Sequence, residues 1–304
     1  MIRIPALLPE EHVYSCFVRG RFLSAQMHLS DKEFFSMNQL PYHWLRSQVP
    51  LCGNMNAVLE LMSVSLEQQF KLRLLHTPFA PWLLSLPNDL KPSDLTESNV
   101  RNNMEESPFN VDKRWKFCPH CLAEDRTTFG VSYWRSFHQL PGVLICEKHK
   151  VALHSHAELR YLAFKLPHHF LNGSEELVVD ADWQHRWQPF IYKLSRHLQA
   201  NPEWGRDVPN YIKRQLQIEG VIKSTHRPLF NNLFKSMRED VGMACLAGLF
   251  TRFARNNGRM PNILWLTLSG RSQNKGIRHP LYWLAILFWL RDELPELRFL
   301  REDR

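Results

Sequence analysis

Apolar residues recur at helical spacing through the first quarter of the chain. Between residues 10 and 27 they follow a helical period, at Val13, Phe17, Val18, Phe22 and Ala25. A serine followed three residues later by glutamate or glutamine marks a helix start, and this pattern occurs at Ser30 and Ser65. With a further helical stretch at 53–62, the pattern predicts four short helices within residues 1–86, arranged as a helix-turn-helix-like bundle.

The middle of the chain shows a different pattern. Residues 87–114 are polar and lack periodicity, which is typical of a linker. Bulky residues alternate within 133–142, a segment that ends in Pro-Gly, and this predicts a short hairpin or an extended segment. We expect Trp134 and Phe137 to pack against neighbouring helices.

Helical periodicity returns in the C-terminal part. Trp183 and Trp187 are one helical turn apart, which predicts that both are buried. Apolar positions between 229 and 256 predict an amphipathic helix or a pair of helices, and the helix before them is expected to end at Gly220. The apolar run 281–290 is far shorter than the roughly 20 residues of a membrane span, so it predicts a buried helix.

Two pairs of cysteine and histidine residues lie in the middle of the chain. Cys118 and Cys121 are separated by two residues, as are Cys146 and His149, and 24 residues lie between the pairs. Three thiolates and one imidazole complete the tetrahedral shell of structural zinc, with no position left for a substrate water. The spacing therefore predicts one structural Zn²⁺ ion. The alternative is that the cysteines are simply buried without a metal.

Three further cysteines, Cys16, Cys52 and Cys245, lie outside these pairs. An odd number of remaining thiols beside a metal cluster favours a reducing compartment over a disulfide framework. The stretch of residues 1–9 is short and is interrupted by two prolines, so we expect no signal peptide. These features together predict a cytoplasmic protein.

The apolar content predicts a globular protein, because 44% of the residues are hydrophobic. The periodicity predicts a mainly α fold with a zinc-stapled module in its centre. We expect four segments: an N-terminal helical domain (1–86), a linker (87–114), a zinc-binding module (115–156) and a C-terminal helical domain (157–304).

The net charge of +8 is concentrated in one segment. Residues 205–278 contain 13 Lys and Arg against 4 Asp and Glu, whereas the charges before this segment cancel and those after it sum to −1. A localised basic segment indicates a polyanionic partner, although a solvated basic face without a partner is the alternative. The candidate nucleic-acid contacts are Lys213, Arg214, Arg252, Arg255, Arg259, Arg271, Lys275 and Arg278.

Several motifs resemble the TniQ/TnsD family, the target-selection proteins of cut-and-paste transposons. The resemblance extends over most of the chain and is most specific around the cysteines. The motifs are Pro5…Pro9-Glu10, Tyr14-Ser15…Arg19, His76-Thr77…Pro81, Cys118-Pro119-x-Cys121, Tyr133-Trp134-Arg135, Leu140-Pro141, Cys146-x-x-His149, Leu153, Tyr211…Leu216…Gly220…Leu233 and His279-Pro280-Leu281. Some relatives carry a second cysteine cluster, but no cysteine lies between Cys146 and Cys245, so a second zinc is not expected.

The resemblance implies an adaptor in the bacterial cytoplasm. Such proteins bridge a target-recognising element and the transposon's TnsC-like AAA+ ATPase. In CRISPR-associated transposons that element is a guide-RNA Cascade complex, which TniQ binds, often as a homodimer. TnsD-type members are longer, so the chain is expected to be either a compact TniQ or the N-terminal part of a longer selector.

The sequence leaves three functions open. The first is a non-catalytic adaptor or target selector for transposition. The second is a stand-alone zinc-containing protein that reads a DNA sequence directly. The third is an enzyme such as a nuclease, but Asp112, Glu124 and Asp125 near the cysteines form no paired-carboxylate or open metal motif. We therefore expect no enzymatic activity.

Overall fold

The computed structural model describes residues 2–40, 53–63, 65–86, 114–156, 165–179, 181–218, 220, 222–250, 262–269 and 279–300. These residues are mainly helical, as the sequence predicts. They form two compact units. The first contains the described residues up to Phe79 and those from 114 to 179, and the second contains those from 80 to 86 and from 181 onward. The four-segment division of the chain stays a prediction.

The first unit contains five of the described α-helices: α1 (Val13–Leu23), α2 (Asp31–Met37), α3 (Gly53–Met62), α4 (Leu66–His76) and α5 (Pro119–Phe129). The capping box before α2 is complete, because Ser30 and Glu33 exchange side-chain-to-backbone hydrogen bonds. Before α4 only half of the box forms. The Ser65 side chain accepts from the Gln68 backbone N–H, whereas the Gln68 side chain accepts from the hydroxyl of Ser63.

One hydrophobic core joins the N-terminal helices to the segment that follows residue 114. Trp134 is fully buried and packs in the same cluster as Phe17, Phe34 and Trp115. Its backbone N–H donates to the hydroxyl of Ser15 over 2.6 Å. The expectation that Trp134 packs against neighbouring helices is thus confirmed.

Three two-residue strands form a small antiparallel sheet in the order β1 (Lys116–Phe117), β2 (His154–Ser155) and β3 (Glu175–Glu176). The hairpin alternative for 133–142 is wrong. Arg135 instead forms an isolated antiparallel bridge with Glu11, and Phe137–Gln139 forms one turn of 3-10 helix.

The side chain of Gln139 links this segment to β1. It accepts a hydrogen bond from the Lys116 backbone N–H and donates one to the Lys116 carbonyl, at 3.0 and 2.8 Å. The backbone N–H of Ser136 donates to the Glu10 carbonyl at 2.9 Å. Backbone groups of this segment therefore bond partly to distant parts of the chain and partly within its own turn, where the Gln139 N–H donates to the Ser136 carbonyl at 3.1 Å.

The second unit contains α6 (Asp182–Ala200), α7 (Trp204–Gln215), α8 (Arg227–Val241), α9 (Met243–Leu249), α10 (Ile263–Leu268) and α11 (Leu281–Trp289). Every residue of α11 is buried, as the apolar run predicts. Trp183 and Trp187 are also buried, on α6. The region from 229 begins as a pair of helices, and α8 gives way to α9 at Gly242, where φ is +84°. Among the described helices, none combines the length and the apolarity needed to cross a membrane.

Candidate metal centre

Local structure positions the four predicted ligands. Cys118 follows β1 directly and occupies the N-cap position of α5, so Pro119 starts the helix and Cys121 lies in its first turn. On the other side, the backbone N–H of Lys150 donates to the Cys146 carbonyl at 2.9 Å and closes a turn around His149. Each pair of donors is therefore directed by one short local structure.

The two pairs converge on a single point. Their four ligand atoms all lie within 4.8 Å of one another. Sγ of Cys121 lies 3.7 Å from Sγ of Cys146. Nδ1 of His149 lies 3.5, 3.4 and 3.6 Å from Sγ of Cys118, Cys121 and Cys146.

These distances match the edges of a tetrahedron around zinc. Bond lengths of about 2.3 Å to sulfur and about 2.0–2.1 Å to nitrogen imply S···S edges of about 3.8 Å and S···N edges of about 3.6 Å. The donor set also suits zinc, which takes thiolate and imidazole ligands in closed structural sites. The four residues thus could bind a metal ion, and both donors and distances fit Zn²⁺.

Because the thiols lie close together, the pKa values of Cys121 and Cys146 shift in opposite directions. Hydrogen bonds with Cys118 and Cys146 raise the pKa of the Cys121 thiol, and the corresponding contacts with Cys118 and Cys121 lower the pKa of Cys146. Three thiolates this close repel one another unless a cation lies between them. A divalent metal ion supplies that charge when it is bound.

Glu124 contacts the imidazole of His149 on the side away from the thiols. Nε2 of His149 lies 3.0 Å from Oε1 of Glu124, while Nδ1 faces the thiols. The other carboxylate oxygen accepts a hydrogen bond from Lys148. A carboxylate on the far nitrogen fixes the tautomer and the ring orientation, which leaves Nδ1 available as a ligand.

Arg135 ties the ligand-bearing helix α5 to the N-terminal segment. Its guanidinium donates to Asp125 on α5 at 2.6 Å and to Glu10 at 2.9 Å. Asp125 is 2% exposed, so this pair is shielded from water and from salt. Arg135 therefore connects the centre to the N-terminal segment of the first unit.

The contact of Glu124 with His149 and that of Arg135 with Glu10 were not predicted from the sequence. Glu124 lies one helical turn after Cys121, a spacing that places it on the same side of α5. That spacing is the signal in the sequence for Glu124. The partner of Glu124, His149, lies 25 positions further along the chain. Arg135 is 125 positions from Glu10, and no local pattern indicates that contact.

The predicted nucleic-acid contacts are described only in part. Lys213 and Arg214 lie in the last turn of α7. Arg214 is exposed, packs over the ring of Tyr211 and lies 3.5 Å from a carboxylate oxygen of Glu296. The other six candidates lie outside the described residues: Arg252, Arg255, Arg259, Arg271, Lys275 and Arg278.

Comparison with known proteins places the centre inside one family domain. The TniQ family model matches residues 2–153, half of the chain, and this span contains all four ligand residues together with Glu124 and Arg135. No curated protein matches the chain. The match over residues 2–153 shows that this chain belongs to the TniQ family.

Proposed function

We propose that the protein is a non-catalytic adaptor that links a target-recognition element to a TnsC-like AAA+ ATPase during DNA transposition. TniQ proteins are transposon-associated target-selection proteins, and the family match over residues 2–153 is the observation that carries the proposal. The recognition element is either a guide-RNA Cascade complex or a DNA site.

The geometry of the metal centre supports a role without catalysis at that centre. All four positions of a tetrahedral shell are supplied by Cys118, Cys121, Cys146 and His149. A catalytic zinc site keeps one position open for water or substrate, whereas a structural site is closed. We assign one structural Zn²⁺ ion to this centre, where it would hold α5 and the turn at residues 146–149 together.

The charge of the second unit supports a nucleic-acid partner. The segment 205–278 carries a net charge of +9, from 13 Lys and Arg less 4 Asp and Glu. Lys213 and Arg214 would contribute phosphate contacts from α7, together with the six cations named above that lie outside the described residues.

The same charge favours a second candidate function. A basic segment in the same chain as a zinc centre is also what a stand-alone, TnsD-like reader of a DNA site requires. Such a reader holds its site with a dissociation constant of about 10⁻⁸ M or tighter at physiological salt. An adaptor alone would bind DNA weakly and without sequence preference.

Purification from cells that express the neighbouring transposon genes tests the adaptor role. The tagged full chain should retain the ATPase together with an RNA-guided complex or target DNA. RNase and DNase treatments before elution identify which nucleic acid mediates the association. Recovery of the chain with neither the ATPase nor a recognition element, combined with nanomolar binding of one DNA site, would support the stand-alone reader instead.

A second experiment concerns three of the six proposed contacts outside the described residues. Replacing Arg252, Arg255 and Arg259 together by alanine should weaken nucleic-acid binding and reduce its salt dependence. Unchanged binding would assign the contact to another part of the segment.

A further inference from the structure

Helix α8 has one face buried in the second unit. Its buried residues recur at the spacing of a single helix face, at Phe230, Phe234, Met237 and Val241. Asn262, which caps α10, donates from its side-chain amide to the Phe230 carbonyl at 2.8 Å and to Oδ1 of Asn231 at 3.3 Å. The orientation of α8 is therefore fixed by packing and by hydrogen bonds, and its other side faces outward.

The exposed side of α8 carries a stripe of cations and one amide. Arg227, Asn231 and Lys235 are exposed and fall four residues apart, so they lie along one stripe. Lys223, also exposed, precedes the helix. We name these four residues the α8 stripe. Within the described parts of the chain, none of its three cations forms an ion pair.

Helix stability does not explain these charges. Cations are favourable near the C-terminus of a helix and acids near the N-terminus, because of the helix dipole. In α8 the first turn holds a cation and no acid, and the last turn holds two acids beside the favourably placed Arg238. Arg227 opens the helix, while Glu239 and Asp240 lie in its last turn, where Asp240 accepts a hydrogen bond from the indole N–H of Trp289. The stripe is thus better explained by an external anion than by the helix itself.

The dimensions of the stripe fit a DNA duplex. Arg227 and Lys235 are eight residues apart, which is about 12 Å along a helix axis. The major groove of B-DNA is about 12 Å wide, so the two cations would reach the phosphate rows on its two sides. Asn231 lies between them in the sequence, and its Oδ1 accepts the hydrogen bond from Asn262 described above.

We propose that the α8 stripe binds the phosphate backbone of double-stranded DNA. This inference rests on the proposed function in one respect only, since target DNA is the polyanion that a target-selection protein meets. None of the four residues belongs to the contacts predicted from the sequence.

Salt-dependent binding of a labelled 20-base-pair DNA duplex by the full chain tests the proposal. The double variant Arg227→Gln/Lys235→Gln should reduce the slope of log affinity against log salt by about two. The ratio of the dissociation constants at 200 and 50 mM salt should therefore fall by about tenfold relative to the unmodified chain. The loss should be the same for duplexes of unrelated sequence.

A matched control removes the same charge elsewhere. Lys32 and Lys71 are exposed residues of α2 and α4 in the first unit, and Lys32→Gln/Lys71→Gln also lowers the net charge by two. This control should leave the slope unchanged. Circular dichroism and thermal melting of both variants should match the unmodified chain, because all four substituted side chains are exposed.

Several results would overturn the proposal. These are a slope unaltered by the α8 substitutions, an equal change in the control, an effect on an RNA duplex but not on DNA, and no measurable binding of DNA by the unmodified chain at 50 mM salt. Failure to co-purify the ATPase would count against the proposed function while leaving this contact intact, so the two failures are distinguishable.

Discussion

Nε2 of His149 lies 3.0 Å from Oε1 of Glu124, on the side of the imidazole ring opposite the three thiols. This contact makes a carboxylate 25 positions away in the sequence part of the metal centre. A ligand histidine held in this way keeps one tautomer and one ring orientation, so less conformational entropy is lost when the metal binds.

Replacing Glu124 by glutamine should weaken metal binding without unfolding the first unit. Loss of the charged partner on the far nitrogen should reduce zinc affinity by about 10–100-fold. Competition with a chromophoric chelator measures the change. Glu175→Gln, which removes an exposed carboxylate of β3, is the matched control and should leave the affinity unaltered. Equal affinities for Glu124→Gln and the unmodified chain would remove Glu124 from the centre.

Replacing Cys121 by serine should release the ion and unfold the region around α5, because structural zinc contributes directly to folding free energy. The zinc content measured by elemental analysis should fall from about one ion per chain to nearly none. The thermal transition of the first unit should move to lower temperature. Treatment of the unmodified chain with a strong chelator should reproduce both changes.

Cys245→Ala provides the control for this loss of a thiol. Cys245 is buried in α9, in the second unit and outside the metal centre. Its replacement should leave the zinc content at about one ion per chain, even where the cavity lowers stability. A normal melting curve for the metal-free Cys121→Ser variant would contradict the structural role of the ion.

The parts of the centre that follow from the sequence are those built by short-range geometry. Cys118 and Cys121 share the start of one helix, and Cys146 and His149 share one turn, so their spacing alone indicates a common ligand set. The Ser30 capping box is likewise a contact over three residues. Such features depend on the local backbone, which the sequence pattern determines.

The parts that could not be predicted depend on which distant segments meet. The alternation around Trp134 indicates extended structure, but nothing local indicates that its partner is the chain before α1. The backbone N–H of His12 donates to the Trp134 carbonyl at 2.7 Å, across more than 120 positions. The residues of the Tyr14-Ser15…Arg19 motif face this junction, and their roles there become visible only in the fold.

Replacing Arg19 by leucine should strongly destabilise the first unit. Glu11 is fully buried and accepts two hydrogen bonds from the Arg19 guanidinium, at 2.8 and 2.6 Å, and one from the backbone N–H of Leu8. Removing one partner of a buried ion pair leaves an uncompensated charge and costs about 3–5 kcal/mol. Chemical denaturation monitored by circular dichroism measures the loss.

The double variant Glu11→Gln/Arg19→Leu separates charge from packing. Because it removes both charges together, it should recover part of the stability lost in Arg19→Leu. If Arg19→Leu lowered the free energy of unfolding by less than about 1 kcal/mol, the Glu11–Arg19 pair would be worth no more than an ordinary surface ion pair.

His12 should make the stability of the first unit depend on pH. Burial, with a smaller contribution from nearby His76, lowers the pKa of His12 from 6.5 to about 3. Between pH 6.5 and 3 the unfolded chain therefore binds a proton that the folded chain does not. The resulting stability is complete above pH 6.5 and is lost as the pH falls, by about 2–3 kcal/mol at pH 4.5.

His12→Asn isolates this effect, because the amide oxygen of the introduced side chain should replace Nδ1 of His12 as the acceptor for the backbone N–H of Tyr14 at the start of α1. The variant also loses the edge-to-face contact between His12 and Trp115, which lowers stability equally at every pH.

The measurement is therefore the difference in unfolding free energy between the two proteins from pH 7 to 4.5. That difference should shift in favour of the variant as the pH falls, and acid release of the metal cancels because both proteins keep the same four ligands. A constant difference across this range would show that His12 accepts a proton in the folded protein as readily as in the unfolded chain.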